Sequence, residues 1–180
     1  MVQLTALLAA VASLAVSAAA TPLEGRASTP SNIPAQFINL LKIGLVKDIN
    51  PIITEASLTS NVIETTFDVQ NPLPVEITLD KVTAQAGLNG TVFATFTHSF
   101  PAPGLVVPPL GTKNSGLIMN VDLPLGLDAS LAIVPFGVLD LPDTNANIRV
   151  FTIAGFGGLP LPLDGLKQTG VPANFTFSLT

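Results

Sequence analysis

The chain has 180 residues, with 7 Lys or Arg against 12 Asp or Glu, a formal net charge of −5 and no cysteine. So acidic a chain, with so few bases, is a poor partner for nucleic acid or for an anionic lipid surface. Without cysteine there is no disulfide framework, no thiolate metal site and no cysteine nucleophile, so the fold rests on packing alone. Tyrosine and tryptophan are also missing, and ten phenylalanines supply all the large aromatic rings. That weighs against sugar binding, which leans on Trp and Tyr platforms.

Leu4 to Val16 is almost continuously apolar and is followed by the small residues Ala18, Ala19 and Ala20. An apolar run of about 13 residues is shorter than the roughly 20 that cross a bilayer. Residues 1–20 therefore read as a signal peptide and the protein as secreted, with no transmembrane segment expected. Residues 21–31, rich in Pro, Ser and Thr, read as a flexible leader, in which Arg26 is a candidate cleavage point. Residues 32–180 read as a single domain.

Over 33–47, Phe37, Leu40, Leu41 and Leu45 recur at helical spacing, with Pro34 in the first turn, where proline is tolerated. The expected element is a short helix packed on the sheet, because Lys42 and Lys47 alone make too thin a polar face for a lipid-surface helix. Ile52 to Thr59 reads as a strand. From Val62 onward the pattern is two alternating runs joined by a corner. Ile63, Thr65, Phe67 and Val69 share one face, and Val75, Ile77 and Leu79 share one face of the next run. Between them Asn71-Pro72-Leu73-Pro74 cannot continue a ladder, since neither proline has an N–H to donate.

Asn89-Gly90 is a two-residue hairpin signal, and Thr91 to Ser99 alternates as its second strand. Phe100 to Pro109 is a proline-rich crossing, Gly116 to Leu125 a strand, Asp128 to Val138 a short helix, and Asn147 to Ala154 a strand. Gly155 to Gly170 reads as a Gly/Pro/Leu loop, and Asn174 to Leu179 as the closing strand. The sum is an all-β protein: an antiparallel β-sandwich, fibronectin- or immunoglobulin-like, of about seven strands with a short N-terminal helix. Asn89-Gly90-Thr91 and Asn174-Phe175-Thr176 are glycosylation sequons, making Asn89 and Asn174 candidate modification sites.

Phe67-Asp68-Val69-Gln70-Asn71-Pro72, followed by the run Val75 to Leu79, resembles the hallmark of group-2 late-embryogenesis-abundant proteins and the related WHy domain. The order of later segments, Pro101 to Gly104, Val107 to Gly111 and Gly116 to Leu123, is similar too, over roughly Ile53 to Val150. The resemblance implies a fibronectin-type sandwich with no catalytic residues. The roles it implies are stress protection, lipid or membrane association, and tethering of partners.

Catalytic machinery is hard to assemble from these residues. His98 is the sole histidine, and no G-x-S-x-G elbow precedes a helix, so a Ser-His-Asp arrangement is not expected. Glu64 with Asp68, and Glu76 with Asp80, read as solvated faces of adjacent strands rather than as a carboxylate pair or a calcium site. Asp140, Asp143, Asn145 and Asn147 offer oxygen ligands without the EF-hand order. Gly155-Phe156-Gly157-Gly158 lacks the Lys-Ser/Thr of a phosphate loop. No cofactor, metal or catalytic residue is therefore expected. What remains is apolar: Leu105, Val106, Leu159, Leu161 and Leu163 sit in Leu/Pro-rich loops that read as an exposed apolar surface or pocket mouth. The expected function is non-enzymatic binding of a lipid, a small apolar ligand or a protein surface. The alternative is a structural part of the matrix or cell wall, without a defined ligand.

Overall fold

The computed structural model of the protein describes residues 44–179. The expected signal peptide, residues 1–20, and the expected leader, residues 21–31, lie outside the described residues. So does the expected helix, apart from its last positions, and there the structure differs: Val46 and Lys47 already belong to a strand.

Ten strands follow in order: β1 Val46–Thr54, β2 Val62–Gln70, β3 Ile77–Leu88, β4 Thr91–Ser99, β5 Leu105–Val107, β6 Thr112–Asn114, β7 Ile118–Asp122, β8 Val138–Val150, β9 Leu159–Pro172 and β10 Thr176–Ser178. Two short helices, α1 Ser57–Ser60 and α2 Leu127–Leu131, and a 3₁₀ turn at Val134–Phe136 complete the described elements. The strands form one curled sheet in the order β10-β1-β2-β7-β4-β3-β8-β9, with β5 on β3 and β6 on β2. The sheet is mixed, because β1 pairs β10 in parallel while the other ladders are antiparallel. The all-β expectation holds, but a seven-strand, purely antiparallel sandwich does not describe it.

The curl follows from the way the ends of the sheet meet. β9 borders β8, and the same stretch of chain continues through Ala173, which bridges Ile49 in parallel, into β10 on β1. Residues 159–178 therefore touch both ends of the strand order and draw them together. Alternate side chains point into the enclosed space, and the alternation read in β2 is the alternation found: Ile63, Thr65, Phe67 and Val69 are buried. The interior is apolar, with Leu73, Ile77, Val107, Ile118 and Val150 almost fully enclosed. Asn89 and Gly90 close the β3–β4 hairpin with φ of 52° and 81°, the left-handed pair that a tight hairpin turn requires.

β2 and β3 are not neighbours. β7 and β4 lie between them in the sheet, so the Asn-Pro corner carries the chain across the curl rather than back along one ladder. Asn71 makes that crossing possible. Its side chain is buried, and its Nδ2 donates to the carbonyl oxygens of Val75 at 2.8 Å, Pro108 at 3.0 Å and Val107 at 3.3 Å. Its Oδ1 accepts from Leu73 N at 2.9 Å, and its own N–H donates to Gly111 O at 2.8 Å. One amide thereby satisfies backbone groups from the corner and from the β5–β6 connection, groups that could not be buried unpaired.

Replacing Asn71 by Ala should lower the unfolding free energy by about 2–4 kcal/mol, since several buried backbone groups lose their partner together. Asn71→Asp should do at least as much damage at neutral pH, because a carboxylate would face three carbonyl oxygens with no N–H to offer. Urea denaturation measures both, and a loss under about 1 kcal/mol in each would contradict this role for the amide.

Candidate functional site

Two features of the described residues stand apart from ordinary packing: a braced turn at one end of the curl, and a row of apolar cavities inside it.

The turn lies between β8 and β9. Ile153 and Phe156 exchange both backbone hydrogen bonds, at 3.1 and 3.0 Å, across Ala154 and Gly155, whose φ are 52° and 81°. Arg149 stands behind this turn with five guanidinium hydrogen bonds, two of them to the turn itself. Nε and Nη2 grip Asp80 at 2.8 and 2.7 Å. Nη1 donates to the carbonyls of Gly155 and Gly157 at 2.8 and 2.9 Å, and Nη2 also reaches Pro103 O at 2.7 Å. The hydrogen bonds to Asp80 hold the Arg149 guanidinium above its ordinary pKa. On the other side Glu76 accepts from Gly155 N at 3.0 Å. That bond, with smaller help from the Thr152 hydroxyl and Ala154 N, pulls the Glu76 carboxyl below its ordinary value against some desolvation. Gly155 packs so closely on the Pro-rich crossing that a Cβ there would lie 2.7 Å from Val106 Cγ2.

The cavities run along the inside of the sheet. The first, about 60 Å³, is lined by Phe67, Val82, Ala84, Ala94, Phe96 and Leu141 among others. Cavities of about 40 Å³ continue on either side. One shares Phe67, Val82, Leu141 and Thr144 with the first. The other shares Ile63, Ala86, Ala94 and Leu139. The space exists because small side chains face it from two strands, Ala84 and Ala86 on β3 and Ala94 on β4. Its lining is nearly all carbon. Thr65 spends its hydroxyl on Asn50 O and Thr66 O. Thr144 Oγ1, which borders the first two cavities, is buried without a hydrogen-bond partner. An unsatisfied buried hydroxyl costs about 1–3 kcal/mol.

One wall of this space is thin. Where β9 approaches the start of β1, no main-chain ladder joins them, and the Gln168 side chain stands in for one. Its Nε2 donates to Val46 O, and its Oε1 accepts from Val46 N at 3.3 Å. Gly44, Leu45, Leu166 and Lys167 line the neighbouring cavity beside it.

The apolar residues singled out from the sequence are divided by the structure. Leu161 and Leu163 are 6% and 3% exposed and belong to the core, as does Leu105, so for these three an exposed surface is corrected. The reason is that Leu159 to Pro172 is a strand that turns Leu161 and Leu163 inward, while Leu105 lies in β5, paired with β3. Val106 is half-buried, and Leu159 stays 39% exposed. Asn89 sits on an exposed hairpin tip, and Asn174 is exposed just before β10. His98 is half-buried with its ring edge-on to Phe100 at 4.7 Å.

The acids are dispersed. Asp68 accepts from Asn114 at 2.7 Å, while Glu76 and Asp80 serve the turn. Asp140 and Asn145 each accept from a β9 backbone amide, of Gly170 and Gly165. Among the described residues no group of three or more His, Asp or Glu is placed to hold a metal ion. The Arg149 brace and the Thr144 cavity were not read from the sequence, and Asp80 with Arg149, 69 positions apart, leaves no local signal.

The class of protein is therefore an all-β domain built as a curled, mixed sheet around an apolar interior. Compared with known proteins, no family model and no curated protein matches the chain.

Leu161→Ala should cost about 2–4 kcal/mol in denaturant unfolding, as a core truncation does, rather than the near-zero change of a surface site. A pH effect belongs to Glu76. Its folded-state pKa lies below the unfolded value near 4.5, so its contribution is complete above that value and is lost as pH falls through the folded one. Hydrogen exchange should show protection of the Gly155 amide falling as the solution is acidified below 4.5, the reference value for this carboxyl. In Glu76→Gln that protection should be lower at neutral pH and flat with pH.

Proposed function

We infer that the protein is a secreted, non-enzymatic binder of a slender apolar ligand, a lipid acyl chain or a molecule like it, held along the inside of the curled sheet. The observation that carries this reading is the row of adjoining carbon-lined cavities, which share lining residues, with the unpartnered Thr144 hydroxyl on its wall. A lining that is nearly all carbon favours a hydrocarbon ligand over a polar one. The lone hydroxyl gives such a ligand one place for an oxygen. The resemblance of Phe67 to Pro72 to the late-embryogenesis-abundant and WHy pattern, with its lipid-associated and stress-protective roles, points the same way. A non-catalytic role is supported by the dispersal of His98 and the acids.

The Gln168 mouth supplies a route. Freeing it needs the rotation of one side chain and the loss of two hydrogen bonds, not the tearing of a strand ladder. Ligand exchange can then be fast without unfolding.

Native mass spectrometry of the secreted, deglycosylated protein should reveal a co-purifying species of a few hundred daltons, lost on denaturation. Ala84→Leu or Ala94→Leu, which grow into the cavity, should remove that species without lowering the unfolding midpoint by more than a few degrees. Gln168→Ala should keep it but speed its exchange. A bare polypeptide mass, together with no uptake of a long-chain fatty alcohol or fatty acid by the parent protein, would overturn the reading.

A further inference from the structure

The braced turn is a second site, separate from the interior and independent of what fills it. Ile153 and Phe156 point away from the protein at 81% and 69% exposure, with the partly exposed Leu159 beside them. Exposed large apolar side chains also occur at the opposite end, Leu58 and Phe136 among them, but there the exposed acids Glu55, Asp122 and Asp128 are interspersed. From Val150 to Leu163 there is no charged residue.

The chemistry of the backbone chooses the partner. Peptide groups that enter hydrocarbon must be satisfied within the protein, because lipid offers no donors or acceptors. In this turn most of those from Ile153 to Gly157 are satisfied in advance. Ile153 and Phe156 pair with each other, Phe151 N donates to Glu76 O, Gly155 N goes to Glu76, and the carbonyls of Gly155 and Gly157 go to Arg149. The charges that do this work lie on the protein side of the turn and are spent on one another: Arg149 on Asp80, Glu76 on the amides. The two sequons fit the same orientation, since Asn89 follows the end of β3 remote from the Ile77–Val150 pairing, and Asn174 follows the end of β9 remote from Leu159. A glycan at either would stand clear of this tip.

We propose that the Ile153–Phe156 turn inserts into the interfacial region of a neutral, zwitterionic lipid bilayer, with Ile153 and Phe156 as its anchors. Binding is driven by apolar burial, and the net charge of −5 disfavours anionic lipid.

The test is flotation of the full secreted chain with phosphatidylcholine vesicles. The parent protein should float with them, insensitive to salt. Ile153→Ser with Phe156→Ser should weaken partitioning at least about tenfold, as loss of two interfacial anchors requires, with an unchanged unfolding midpoint. Leu58→Ser with Phe136→Ser should bind as the parent does, and so should the cavity-filled Ala84→Leu, which separates this site from the interior one. Because the chain has no Trp or Tyr, Phe156→Trp gives a clean probe, and its emission should shift to the blue when vesicles are added. Failure of the parent to float would overturn the proposal. So would equal binding by the turn variant, or binding that needs anionic lipid and vanishes in salt. Loss of a dimer rather than of vesicle binding in the turn variant would assign the surface to a second copy of the chain and overturn it as well.

Discussion

The fold depends on one side-chain amide. Two strands that follow one another in the sequence lie apart in the sheet, and the corner between them must bury its peptide groups while containing two prolines. A ladder cannot do this, because proline offers no N–H. Asn71 does it instead, donating to three carbonyls and accepting one N–H. Asparagine fits where aspartate or leucine would not, since the position needs a donor and an acceptor on one short, neutral side chain. The carbonyls it satisfies come from Val75, Val107 and Pro108, so the corner and the β5–β6 connection are fixed to each other. That fixes where β5 sits on β3, and so where the proline-rich crossing lies beneath the β8–β9 turn.

Arg149 extends the same logic to that turn. It ties Asp80 on β3, the crossing at Pro103, and the turn carbonyls of Gly155 and Gly157. A half-exposed ion pair contributes little by Coulomb attraction alone. Here its value is geometric: a planar guanidinium with every N–H engaged leaves the turn one arrangement. The result is a firm scaffold under two exposed apolar side chains, where a mobile loop would hide them against the protein surface.

What the sequence revealed and what it hid follow from the range of each signal. The alternation of Ile63, Thr65, Phe67 and Val69 and the Asn89-Gly90 turn are local, and they appear in the structure where the sequence puts them, whereas the proline-rich crossing holds the short strand β5 within it. β9 was hidden by Pro160 and Pro162, which make Leu159 to Leu166 look like a loop. Proline is tolerated there because β9 is last in the strand order, hydrogen-bonded to β8 on one side, and an outer N–H is not needed for a ladder. Missing that strand is what made Leu161 and Leu163 seem exposed. β8 was shortened in the reading by Pro142 and the polar run around it, which the structure accommodates as register shifts between Leu141 and Ala146. The cavity had no sequence signature, since Ala84, Ala86 and Ala94 look like ordinary strand residues until the curl sets them around one space.

That space bears on how the molecule is stabilised. With no disulfide to constrain the unfolded chain, the folded state rests on packing and hydrogen bonding. An unfilled apolar void forfeits dispersion contacts around its whole lining, and the Thr144 hydroxyl forfeits a hydrogen bond as well. Both losses fall at the centre of the domain, between the strands that Asn71 and Arg149 hold in place. A ligand that fills the void and meets the hydroxyl would recover both at once, and its binding would appear directly as added stability. The corner and the turn have their polar contacts in place, whereas the interior keeps a void and a lone hydroxyl. At Gln168 the same wall is closed by two side-chain hydrogen bonds in place of a ladder.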